Sequence, residues 1–151
     1  MFKTIVVGTD GSDTAARAVQ MAGELAAATD EAVLHIVSVG KGVSRTAAAL
    51  AETSMAGSGT LAAEGDDDAI KGREEVLQRA ADSVARTASR IETHARVGNP
   101  ADVLCDVAEK VRADLIVVGN RGMRGGRRVL GSVPNSVSHR APCSLLIADT
   151  G

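Results

Sequence analysis

Aromatic side chains are nearly missing: the 151 residues include one Phe and neither Trp nor Tyr. Proteins that grip single-stranded nucleic acid or RNA loops stack bases on aromatic rings, so that class is excluded. The interior must instead be built from Ala, Val, Leu and Ile. There are two cysteines, Cys105 and Cys143, whose spacing fits no metal-ligand motif. Free thiols buried as small hydrophobes are expected, in a reducing, cytoplasmic setting. No apolar run approaches the ~18 residues of a membrane span, and the opening Met1-Phe2-Lys3-Thr4-Ile5-Val6-Val7 is too briefly apolar for a secretory leader. A formal charge of −2 gives no global attraction for nucleic acid or an anionic membrane.

What remains is the composition of one globular domain spanning 1–151, 44% hydrophobic and 24% charged. A chain of this length buries about 70% of its extended surface, so it needs no disulfide or metal staple. Charge is unevenly placed. Residues 115–148 hold five Arg and no Asp or Glu, while the remainder carries 12 basic against 19 acidic residues.

Short β-branched runs alternate with longer stretches of helical period, the pattern of βαβ units around a parallel sheet and therefore of an α/β fold. Five strands are predicted near Lys3–Gly8, Ala32–Val39, Glu92–Val97, Asp114–Gly119 and Ser144–Ala148. Thr4-Ile5-Val6-Val7 and Leu115-Ile116-Val117-Val118 are continuous apolar runs, as central strands covered on both faces require. Ala15, Ala18, Val19, Ala22, Leu25 and Ala26 form one helical stripe behind a Ser12 cap. A second helix is predicted from about Ala69 to Arg90, with Asp66, Asp67 and Asp68 preceding its positive end. A third begins near Pro100 and carries Val103, Leu104, Val107, Ala108 and Val111 on one side. A short fourth runs from about Ser132, as its cap, to His139. Residues 40–65, rich in Ala, Gly, Ser and Thr, read as a long flexible excursion with one weak helical stretch around Thr46–Thr53.

In an open parallel sheet ligands bind beyond the carboxyl ends of the strands, where strand order reverses. Two post-strand loops stand out. Gly8-Thr9-Asp10-Gly11-Ser12 follows the first strand. The loop after the fourth strand has five glycines within positions 119–131 and runs into a helix start at Ser132. Glycine lets backbone N–H groups converge on an anion, and a helix N-terminus adds aligned donors. Ser132 can offer a hydroxyl to a phosphate, and Arg121, Arg124 and Arg127 add positive charge. The Asp10 carboxylate either receives a ribose hydroxyl or holds a hydrated Mg²⁺, or else stabilises its own turn.

Familiar signatures are absent. There is no G-x-x-x-x-G-K-[ST], no G-x-G-x-x-G after the first strand, no H-E-x-x-H and no G-x-S-x-G. His35, His94 and His139 stand isolated in the sequence. His35 reads as a packed or hydrogen-bonded structural residue, and His139 as a favourable charge at a helix end. With no positioned base or nucleophile, an efficient enzyme is not expected.

These residues together resemble the universal stress proteins. The resemblance is carried by Ile5-Val6-Val7-Gly8-Thr9-Asp10-Gly11-Ser12, Gly98-Asn99-Pro100, Ala113-Asp114-Leu115-Ile116-Val117-Val118-Gly119, and Ala141-Pro142-Cys143-Ser144-Leu145-Leu146-Ile147. ATP-binding members have G-x2-G-x9-G-[ST]. Here Gly119, Gly122, Gly131 and Ser132 occupy that motif with a second spacer of eight residues, Met123–Leu130. The resemblance implies an open five-stranded parallel sheet of order 3-2-1-4-5 with helices on both faces, the Rossmann-like architecture of the adenine nucleotide alpha hydrolases. It further implies a homodimer through the last strand, Ser144–Ala148. By similarity, Thr9, Asp10 and Ile36 border adenine and ribose, Val118 and Gly119 line the adenosine side, and Gly122, Gly131, Ser132 and Val133 hold phosphate. The expected role is a stress-response or signalling module that binds ATP, with Mg²⁺ at Asp10. Competing readings are a cyclic AMP binder, which the shortened spacer favours, a slow ATPase, and a nucleotide-free dimerisation module.

Overall fold

The computed structural model describes residues 1–41, 61–120 and 131–150. Five parallel strands, β1 (Thr4–Gly8), β2 (Val33–Gly40), β3 (Arg90–Val97), β4 (Leu115–Gly119) and β5 (Ser144–Ala148), form one sheet of order β3-β2-β1-β4-β5. Between them run α1 (Asp13–Ala27), α2 (Leu61–Val84), α3 (Pro100–Val111) and α4 (Ser132–Arg140). The expected strand order is the one observed. β1 is central, pairing Val7 with Ile36 of β2 on one side and with Val117 of β4 on the other. The chain steps outward from β1 to β2 and β3, then crosses back past β1 to β4 and on to β5, which makes the β1/β4 boundary the reversal point.

Each face of the sheet has its own core. Ile5, Val7, Leu34, Ile36, Leu115 and Val117 pack under α1 and α2, with Ala18, Val19, Ala22, Leu77 and Val84. Val6, Val37, Ile116 and Val118 pack under α3 and α4, with Leu104, Val107, Ala108 and Val137. The apolar runs of β1 and β4 are continuous because alternate residues serve different cores, each buried aliphatic contributing about 1.5–3 kcal/mol. Small residues set the helix approach. A Cβ on Gly23 of α1 would lie 2.9 Å from Val84 Cγ1 of α2.

Local capping follows the sequence closely at α1 and α3. Ser12 Oγ accepts the Ala15 N–H, and Asn99 Oδ1 accepts the N–H groups of Ala101 and Asp102 ahead of Pro100. The second helix departs from expectation at both ends. Helix-favouring Leu61-Ala62-Ala63-Glu64 carry it back eight residues, so Asp66, Asp67 and Asp68 lie inside α2 rather than before it. It ends at Val84, where the Thr87 and Ala88 N–H groups close onto the Val84 carbonyl, and β3 begins at Arg90. Residues 61–65 of the expected excursion are therefore helical, while Thr46–Thr53 lies outside the described residues.

Candidate functional site

The site is built where β1, β2 and β4 end. Past β1, the Thr9 N–H donates to the Val37 carbonyl at 2.9 Å and the Ser38 hydroxyl donates to the Thr9 carbonyl at 2.9 Å. These bonds lock the Thr9 backbone against β2. The chain then turns through Gly11, whose φ of +83° suits glycine. Asp10 Oδ1 accepts the Ser12 N–H at 3.0 Å and the Ser12 hydroxyl at 2.6 Å. The turn-stabilising role left open for Asp10 is therefore present, and its exposed side chain lines the cleft.

On the β4 side, buried Asn120 fastens the strand end. Its Oδ1 accepts the Thr150 N–H at 3.0 Å and the Thr150 hydroxyl at 2.6 Å, and its Nδ2 donates to Asp149 at 2.9 Å. The Asn120 N–H donates to Ala148 of β5 at 3.0 Å. The segment entering the glycine loop thus has a fixed origin. Where the chain returns, Gly131 is the N-cap of α4 and no side chain among the described residues caps this helix. Ser132 is consequently the first helical residue rather than the cap expected from sequence. A serine in helical geometry cannot turn its hydroxyl onto the N–H groups two or three residues ahead as a capping serine does. Pro134 brings no N–H, so Ser132 and Val133 supply the first-turn amides, at the positive end of the helix dipole.

These ends enclose a cleft of about 810 Å³, within the size range of small-molecule sites. It brings together Thr9, Asp10, Val118, Gly119, Gly131, Ser132 and Val133 of the residues singled out from sequence. Ile36 does not join them. Its side chain is fully buried in the α1/α2 core, and Val37, one position on, faces the cleft instead. Arg121, Gly122, Arg124 and Arg127 lie outside the described residues. Lys41 and Arg73 line the cleft and were missed. The position of Lys41 just past β2 was a usable signal, whereas Arg73 depends on the phase of α2. Val37, Val39, Leu104 and Val118 give the cleft an apolar part, opposite in character to the amides and cations. No histidine or cysteine lines it among the described residues.

Among the described residues, Asp10 and Asp68 are the carboxylates that line the cleft. Asp10 Oδ1 is already engaged by two donors from Ser12. Among the described residues, the sole group of three His, Cys, Asp or Glu donors close enough for a metal lies elsewhere, at His35, Glu92 and His94. His35 and His94 are therefore not isolated: His35 Nδ1 and His94 Nε2 are 3.0 Å apart across β2 and β3, and burial pushes both imidazoles below their ordinary value. Burial likewise pushes the Cys105 and Cys143 thiols up, as expected of small hydrophobes.

Comparison with known proteins is consistent across the chain. The model of the universal stress protein family matches residues 1–149. The universal stress protein Rv1636 of Mycobacterium tuberculosis is 36% identical over 99% of this chain and 97% of its own length. YxiE of Bacillus subtilis, also a universal stress protein, is 32% identical over 97% of this chain and 99% of its own. A universal stress protein crystallised in complex with cAMP is 35% identical, with a TM-score of 0.72 over 99% of this chain and 98% of that one. A universal stress protein from Archaeoglobus fulgidus superposes with a TM-score of 0.73 at 26% identity, over 97% and 98% of the two chains. None of the described helices is long and apolar enough to cross a membrane. Sequence, topology and the cleft at the strand-order reversal agree that this chain belongs to the universal stress protein family.

Proposed function

We propose that the chain binds an adenine nucleotide in the cleft between β1 and β4 and acts as a stress-response or signalling module. The observation that carries this reading is the convergence of an uncapped helix N-terminus, an apolar floor and two cations in a single cleft. The adenine ring rests on Val37, Val39 and Val118, excluding water from its faces. The Asp10 carboxylate receives a ribose hydroxyl. Phosphate oxygens take the Ser132 and Val133 amides, where anionic charge meets the positive end of α4. Lys41 and Arg73 add attraction from the opposite wall, supplementing Arg121, Arg124 and Arg127. The residues provide binding and orientation. Occupancy changes the surface that the cleft presents, and a partner protein reads that change. The outer edge of β5 is where a second copy adds to form the homodimer.

ATP is the ligand favoured by the Gly119, Gly122, Gly131 and Ser132 pattern. Cyclic AMP is a second reading, favoured by the spacer of eight residues and by the 35% identical relative crystallised with it. Thermal unfolding and calorimetric titration with ATP, ADP and cyclic AMP, followed by pairwise competition, test both. A nucleotide at 100 times its Kd stabilises the native state by about 2.7 kcal/mol. The expected result is a clear rise in Tm with mutual displacement of the ligands. An unchanged Tm with all three at millimolar concentration overturns the proposal.

A further inference from the structure

We propose that His35, His94 and Glu92 form a binding site for a borderline divalent transition ion, zinc above all, on the β2/β3 edge of the sheet. The site is separate from the cleft: none of its three residues lines that cavity.

Register creates it. His35 of β2 pairs with Glu92 of β3, and Val37 pairs with His94. Since side chains alternate along a strand, Glu92 and His94 share the face on which His35 stands. That is the α3 face, where Val37 packs, opposite the α1/α2 core that takes Ile91 and Ala95. The donor atoms converge. His35 Nδ1 lies 3.0 Å from His94 Nε2 and 3.5 Å from Glu92 Oε2, and all three donors fall within 4.8 Å of one another. Ligands held at about 2.0–2.1 Å from a tetrahedral zinc stand roughly 3.3 Å apart, so side-chain shifts of a few tenths of an ångström suffice for the close pairs.

The donor set is chemically selective. Two imidazoles and one carboxylate suit zinc, cobalt or nickel, whereas magnesium and calcium prefer all-oxygen sets. His35 is buried and held by its strand, which limits the entropy lost on binding. The Glu92 side chain is 54% exposed, which leaves a path for the ion and a fourth position for water. A His–His hydrogen bond supported by Glu92 is the alternative use of the same atoms, and the experiment separates the two.

The probes are Co²⁺ and Zn²⁺, added to the full chain after chelator treatment, in buffer free of nucleotide and Mg²⁺. One equivalent of Co²⁺ should bind and give the visible absorption of a nitrogen and oxygen site, without the thiolate charge-transfer band that Cys105 or Cys143 would produce. Zn²⁺ should displace it and raise Tm. Glu92→Gln and His94→Ala change exposed or half-buried side chains and should keep the native circular dichroism while weakening Co²⁺ at least about tenfold. Cys143→Ser should bind as the parent does. Absence of binding by the parent, or binding undiminished in both Glu92→Gln and His94→Ala, overturns the assignment and leaves a hydrogen-bonded imidazole pair only.

Discussion

Asn120 gives the sharpest energetic test of how the cleft is held in place. Its side chain makes three hydrogen bonds, two of them to Thr150, and both residues are buried at 7% and 5% exposure. Asn120→Ala removes all three and strands the Thr150 N–H and hydroxyl away from water. At about 1 kcal/mol net for each bond, rising where a buried donor is left unpaired, the expected loss is about 2–4 kcal/mol. For a domain of this size that is a fall in Tm of roughly 5–15 °C. Asn120→Asp is a stricter variant: its carboxylate still accepts from Thr150 but loses the donor to Asp149 and faces that carboxylate directly. It should also destabilise, although it is nearly isosteric. Urea unfolding followed by circular dichroism measures both, and a double-mutant cycle with Thr150→Ala should give a coupling of about 1 kcal/mol. A loss below about 1 kcal/mol for Asn120→Ala, with no coupling to Thr150, would refute the idea that this knot anchors the β4 end.

Two further outcomes are expected. Gly131→Asp places a carboxylate at the uncapped N-terminus of α4, so it should raise stability by a few tenths of a kcal/mol while reducing nucleotide affinity at least about tenfold, or 1.4 kcal/mol; matched thermal melts and titrations check the opposed signs. Asp114 accepts the N–H groups of Lys3 and Thr4, which hold its carboxyl below the usual carboxylate range. Its stabilisation is therefore present above about pH 4 and disappears as pH falls through the lowered native value, so the gap in urea midpoint between the parent and Asp114→Asn should close in acid.

Much of this architecture is written locally. The alternation of β-branched runs with helical stripes identifies five strands, and the continuous apolar character of Thr4–Val7 and Leu115–Val118 marks the central pair, because only residues covered on both faces can all be apolar. Capping at Ser12 and Asn99 is equally local, since each side chain bonds amides within three residues. The two glycine-bearing loops after β1 and β4 point to the cleft through residue type alone, because backbone approach to an anion demands residues without side chains.

Other features depend on which distant segment lies alongside. Ile36 and Val37 are chemically alike, yet pairing with β1 sends the first into the α1/α2 core and the second to the cleft. Arg73 reaches the cleft only through the phase of a helix whose start lies eight residues before the one expected from sequence. His35 and His94, 59 positions apart, meet only because β2 and β3 pair in one register. A slip of one residue would turn Glu92 and His94 to the opposite face. Residue identity and spacing determined the strands, helices and glycine turns, because those obey forces acting within a few residues. The tertiary structure alone decided which side chains share a face, because that is fixed by register and helix docking between segments far apart in the chain.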